Sequence, residues 1–158
     1  PYPLSYNGWG DVLVIIFFGF VPVGGTYYVQ ALTWTPDVTI ASIICGLLID
    51  TLLVVNNYRD READARSGKR TVIVRFGEKF GRYFYLLLGI SASLLCLYFL
   101  HEGHIYAALL PQFYLVPHVL TWRRMVKIHS GKKLNSILGE TSRNMLFMGI
   151  LLAIGMIL

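Results

Sequence analysis

The chain has 158 residues, 55% of them apolar and 15% charged, against about 45–50% and about 25% in an ordinary soluble domain. That is a membrane protein's composition. The net charge of +5 would invite a nucleic-acid partner in a soluble chain, but every Lys and Arg falls in one of two windows, 59–82 and 123–143, which argues against nucleic acid.

The chain begins at Pro1 without a Met or a charged leader, so no signal peptide is visible and it reads as an excerpt of something longer or a processed product. Residues 12–30 form a first apolar run of spanning length, interrupted by Pro22 and Gly24–Gly25, which neighbouring helices can accommodate. Residues 33–37, with Trp34 and Pro36, read as a short connection carrying an interfacial aromatic. A second run covers 38–55, a third 83–100, a fourth 105–121 (with Pro111 and Pro117) and a fifth 145–158, the last short of a full span. The expected fold is therefore all-α, a polytopic transmembrane bundle with five spans. Its two long connections hold all the basic residues, and the two short ones, 31–37 and 101–104, hold none. The long connections, together with residues 1–11, are expected on the cytoplasmic face by the positive-inside rule.

Between the second and third runs, the stretch from Asn56 to Thr71 packs three acids and five bases into sixteen residues. On a helix, Asn56, Asp60 and Asp64 recur every four residues and share one face. Two carboxylates and an amide oxygen suit a hard cation such as Mg²⁺, which binds oxygen, keeps waters and is commonly shared with a substrate's phosphates. Lys69 and Arg70 could hold the same phosphates from the other side, as could Arg59; against that, any cytoplasmic connection is rich in such bases for topology alone. Asn57 is a further candidate to add or orient a ligand. Ser67-Gly68 signals a turn, and residues 72–76 form a short apolar piece expected at the membrane interface.

Asn56-Asn57-Tyr58-Arg59-Asp60-Arg61-Glu62-Ala63-Asp64, followed by Gly68-Lys69-Arg70-Thr71 and Arg75-Phe76-Gly77, resembles the second aspartate-rich motif of the UbiA superfamily of intramembrane prenyltransferases. The stretches Phe17–Gly19 and Gly25–Gln30, with Leu138-Gly139-Glu140-Thr141, resemble its naphthoate branch, which serves menaquinone synthesis. The resemblance covers the whole chain but about five of the family's nine helices. It implies a polyprenyl diphosphate donor held through Mg²⁺ by Asn56, Asp60 and Asp64. It also implies an aromatic acceptor, 1,4-dihydroxy-2-naphthoate, prenylated with loss of carboxylate to give demethylmenaquinone. Asp60 and Asp64 are then catalytic, and Asn57, Arg59, Lys69 and Arg70 contact the donor. The family's first aspartate-rich motif has no counterpart here, so residues 1–158 are expected to be the C-terminal part of one membrane domain, with a motif loop at 56–82. Alone, without the N-terminal helices, that part is expected to be inactive.

Other polar residues have duller readings. Asp50 lies about 15 Å deeper than Asp60 on a helix and is expected as a protonated acid bonded across helices. Tyr27 and Tyr28 read as an interfacial belt, His118 as a packing residue, and Glu140 and Arg143 as partners of each other. Cys45 and Cys96, inside apolar runs with no ligand-spaced neighbour, read as buried apolar residues. Three rivals stay open: a UbiA-type enzyme with another aromatic acceptor (hydroxybenzoate, homogentisate, haem or chlorophyllide), a transporter or channel, and a non-catalytic membrane scaffold.

Overall fold

The computed structural model describes residues 4–158; Pro1, where the chain begins, lies outside them. Among the described residues every regular element is helical. Four helices are long and apolar enough to cross a membrane: α1 (Gly10–Ala31), α2 (Pro36–Arg66), α3 (Val72–Leu100) and α5 (Lys132–Ile157). Between the last two, residues 105–128 follow a helical path, α4, in three consecutive pieces: Ile105–Leu109, Leu110–Tyr114 and Leu115–Ile128. Pro111 sits where the first break falls, because a proline removes a backbone donor and crowds the preceding turn. The carbonyl of Ala108 is satisfied instead by the Gln112 amide at 2.8 Å, and the same side chain ties α4 to α3 through Ser93.

α5 starts well before residue 145. It takes in the polar stretch 135–144 and reaches 26 residues, so the fifth run is not short of a full span. The apolar count ended the run at Met145 because Asn144, Arg143 and Glu140 look like a connection. Glu140 and Asn144 are in fact buried against α4.

α2 is the element that α1, α3 and α5 pack against. Thr35 caps its start by accepting a hydrogen bond from the Val38 N–H, with Pro36 in the first turn, where its missing donor costs nothing. It ends after Arg66 in a Schellman stop. The Lys69 N–H donates to the Asp64 carbonyl (2.9 Å) and the Gly68 N–H to that of Ala65 (3.2 Å), while Gly68 takes φ +76°. The turn expected at Ser67-Gly68 is this stop. Consequently the stretch 56–82 is not a loop: 56–66 continue α2, five residues turn, and α3 begins at Val72 under a Thr71 cap. The apolar piece 72–76 forms a short first segment of α3, set off by a kink at Gly77 (φ 86°, ψ 173°), a conformation open essentially to glycine alone.

α1 crosses α2 backbone against backbone. A Cβ on Gly19 would lie 2.4 Å from the Ser42 carbonyl, and one on Gly46 would lie 2.9 Å from the Ile15 Cα. Small residues permit this approach, as they do between spanning helices generally. Around Pro22, residues Ile15–Gly25 wind as a wider π-helix, which accommodates the missing donor.

Two buried clusters fill the bundle. One joins Val54, Val55 and Tyr58 of α2 to Ile73, Tyr85 and Leu88 of α3, with Met125, Leu134 and Ile137. The other, nearer the opposite end, includes Ile44, Leu48, Cys96, Phe99, Tyr114 and Met148. His118 is a packing residue, as expected. It is buried between the rings of Tyr85 and Tyr114, bonds the Tyr114 hydroxyl (2.9 Å) and the Leu86 carbonyl (3.2 Å), and occupies the space a side chain on Gly89 would need.

Candidate functional site at the basic end of the bundle

The two basic windows meet at one end. Arg59 Nη1 donates to Asn135 Oδ1 (2.9 Å), Arg82 Nη2 lies 3.1 Å from His129 Nδ1, and the Trp122 indole N–H donates to the Arg82 carbonyl (2.9 Å). Residues 6 and 7 join them: the Arg70 N–H donates to the Tyr6 carbonyl (2.8 Å) and Arg75 to that of Asn7 (2.7 Å). At the other end the Tyr98 hydroxyl donates to Asp37 (3.1 Å). The grouping of long and short connections expected from charge is thus the one the bundle adopts.

The acid motif lies on the last three turns of α2, where the helix runs past its apolar stretch. Asp60 is held two-pronged by its neighbour Arg59, Nε to Oδ1 at 2.7 Å and Nη2 to Oδ2 at 2.6 Å. Lys69, brought back by the Schellman stop, lies 3.3 Å from Asp64 Oδ2. Asn56 is half-buried one turn below Asp60, while Asn57 is buried on the side facing α1. Of the expected site residues, the fold therefore brings Asn57, Arg59, Asp60, Asp64 and Lys69 into one charged end, with Asn56 on the same stripe. It does not bring in the Arg70 side chain, which is exposed; its backbone serves to pin the N-terminal segment.

A small cavity of about 60 Å³ opens beside the motif, lined by Gly8, Asp11, Leu53, Asn57, Lys69 and Thr71. Lys69 faces it from one wall while binding Asp64. Asp11 was not among the sequence candidates. The available signal was an acid preceded by Gly8 and Gly10 and standing directly before an apolar run. A second omission is Glu78. It accepts from the Tyr58 hydroxyl (2.9 Å) and pairs with Arg61 (3.3 Å), Arg82 and His129 (2.6 Å), so one carboxylate ties the α2 end to α3 and to the turn after α4. Nothing in its spacing announces four partners from three elements.

Glu140 does not pair with Arg143. Its partner is Arg124 of α4 (2.7 Å), with Thr121 donating at 3.5 Å. Arg143 is near enough along the helix, but α4 packs directly against Glu140 and presents Arg124 and Thr121 to it.

The donor set fits a hard cation in part. Asp60, Asp64 and Asn56 offer oxygen only, as Mg²⁺ requires, yet no third acid, His or Cys joins the two aspartates among the described residues. Both carboxylates are neutralised by Arg59 and Lys69. A metal-bound anion would therefore displace one partner and gain another, since the bases that leave the carboxylates are free to bind its oxygens.

The chain matches the UbiA prenyltransferase family over residues 1–157. It is 43% identical over 94 residues to the 1,4-dihydroxy-2-naphthoate octaprenyltransferase of Haemophilus influenzae, covering 60% of this chain and 30% of the relative. It is 28% identical over 95 residues to the 2-carboxy-1,4-naphthoquinone phytyltransferase of Synechocystis, covering 60% and 31%. With the UbiA prenyltransferase domain-containing protein 1 of Dictyostelium discoideum the identity is 29% over 158 residues, all of this chain and 47% of the relative. The match thus covers between about a third and a half of the length of these three relatives. No solved structure matches it. A family match running nearly end to end, on a membrane bundle whose second helix carries the acid motif, means that this chain belongs to the UbiA prenyltransferase family.

Proposed function

We propose that the chain is the C-terminal part of a Mg²⁺-dependent membrane enzyme. The whole protein would transfer a polyprenyl group from polyprenyl diphosphate to 1,4-dihydroxy-2-naphthoate, with loss of the ring carboxylate, to give the reduced, hydroquinone form of demethylmenaquinone. The observation that carries this is the charged end of α2, with Asp60 and Asp64 on one stripe, each matched to a base, where two basic windows converge. Helices outside this chain supply the complementary acids, and the site faces the cytoplasm. The relatives' names support the acceptor more than the tail: octaprenyl and phytyl differ, while a naphthalene ring recurs.

Bound there, the metal would neutralise charge on the leaving diphosphate. The chain's own residues do the rest. Asn56, Asp60 and Asp64 would hold the ion through oxygen, and Arg59 and Lys69, released from their carboxylates, would stabilise negative charge where it develops, commonly the largest catalytic effect. The apolar bundle keeps water from the allylic cation. Diphosphate release and naphthoate consumption by the full-length protein in membranes, with and without Mg²⁺, test the reading. Loss of both on Asp60→Ala is expected; unchanged turnover, or preference for hydroxybenzoate over the naphthoate, would overturn it.

A further inference from the structure

α2 carries another carboxylate that the charged end does not use. Asp50 is completely buried, and neither of its oxygens has a hydrogen-bond donor. Facing it, within hydrogen-bonding reach, is Asp11 of α1, itself 8% exposed. The backbone crossing builds this encounter. Gly19 meets Ser42 and Ile15 meets Gly46, and one more four-residue step along each antiparallel helix sets Asp11 against Asp50. Two carboxyls so close inside a bundle do not both ionise; a proton held between them gives Asp50 the partner it otherwise lacks.

Asp11 also reaches the cavity of about 60 Å³ beside the acid motif, where Asn57, Lys69 and Thr71 provide polar walls and there is room for about two waters. The charged groups near the pair are Lys69, bound to Asp64 across that cavity, and Arg75, whose guanidinium lies beside Gly8.

We propose that Asp11 and Asp50 share one proton and accept a second, the one the aromatic acceptor releases, through water in this cavity. The proposal rests on the function proposed above. As the ring carbon bonds to the allylic carbon, that carbon's bond to the diphosphate oxygen breaks and diphosphate leaves with the electron pair. The acceptor's hydroxyl proton passes through water to the pair, which goes from one held proton to two; when the ring carboxylate then leaves as CO₂, its bonding electron pair restores the aromatic ring and the acid pair returns the proton to the ring oxygen. Removing that proton makes the ring a stronger nucleophile, so a base matched to this task is worth about 10²–10⁴-fold.

The test uses full-length enzyme in membranes, with geranylgeranyl diphosphate as donor probe and 1,4-dihydroxy-2-naphthoate as acceptor. Asp50→Asn keeps the shape and supplies Asp11 with a donor. It is expected to bind the probe with Mg²⁺ as the wild type does, to lose about 100-fold in kcat at neutral pH, and to recover as pH rises and the acceptor ionises in solution. Asp11→Asn should do the same. Turnover within twofold of wild type across the pH range, full activity in Asp50→Leu, or loss confined to probe binding would each overturn the pair's role while leaving the functional reading intact. Wild-type enzyme that binds the probe but never prenylates the naphthoate would overturn both.

Discussion

α2 holds two sets of acids that the fold treats in opposite ways. At its exposed end, Asp60 and Asp64 are each matched by a base no more than five residues away, Arg59 and Lys69, in partly solvated pairs. About 15 Å deeper by the rise of a helix, Asp50 is buried without a base, and its neighbour is another acid from a different helix. Pairs of the first kind contribute little to stability, since partly exposed ion pairs are worth about 0–1 kcal/mol; their charges stay available to a ligand. The second arrangement is costly unless a proton is held there, so it persists only where packing enforces it. One site is loose and ready for exchange, the other rigid and dependent on the helix crossing.

Breaking the loose site should remove chemistry and spare the fold. Asp60→Ala and Asp64→Ala in the full-length protein are expected to lower kcat about 10²–10³-fold, the usual cost of removing a group that stabilises transition-state charge. The melting temperature in detergent should move little, because Asp60 is 44% exposed at its side chain. A fall in melting temperature as large as that of a core variant would mean that the acids hold the bundle together instead.

Breaking the rigid site from a distance should do the reverse. Gly46→Leu places a side chain where the Ile15 backbone already lies within 2.9 Å of a Cβ. Overpacking of this kind costs about 1–3 kcal/mol, and here it would also pull Asp11 away from Asp50. Thermal unfolding should fall by several degrees and turnover should fall with it, although the variant touches no charged group. Normal stability in this variant would show that α1 is free to separate from α2, and the enforced acid contact would lose its cause.

Most of the architecture was legible from hydropathy and charge. The apolar runs, the two basic windows and the turn at Ser67-Gly68 all became elements, because each is set by local chemistry: length of apolar run, a Gly able to take positive φ, a Pro at a helix start. The acid motif was legible for the same reason, its spacing being a property of one helix. What escaped belongs to contacts between helices. Asp11 gains its meaning only from the register of Gly19 and Gly46. Glu78 gains its partners from three elements, and the start of α5 was hidden because Glu140 and Asn144 face α4 rather than water.

A weaker backbone test sharpens the comparison from the α3 side. Gly77 has open space where a Cβ would stand, so its requirement is conformational, φ 86° with ψ 173°. Gly77→Ala is expected to cost about 1–3 kcal/mol, read as a lower melting temperature, and to loosen Glu78, the next residue, from Tyr58 and Arg61. An unchanged melting temperature would mean that the kink relaxes into a straight helix without loss.

The smallest expected effect concerns Glu140, where local spacing and tertiary packing favour different partners. Three residues along one helix, Arg143 is close enough for the ordinary i, i+3 attraction, yet the carboxylate lies 2.7 Å from Arg124 on α4. Arg124 is 60% exposed at its side chain, so solvent screens the pair and its worth is about 0–1 kcal/mol. A double-mutant cycle on thermal stability, Glu140→Gln with Arg124→Gln, should therefore give a small positive coupling, and the cycle with Arg143→Gln none above error. Equal couplings would mean that Glu140 samples both arginines, and that at this position the sequence neighbour competes on even terms with the packed helix.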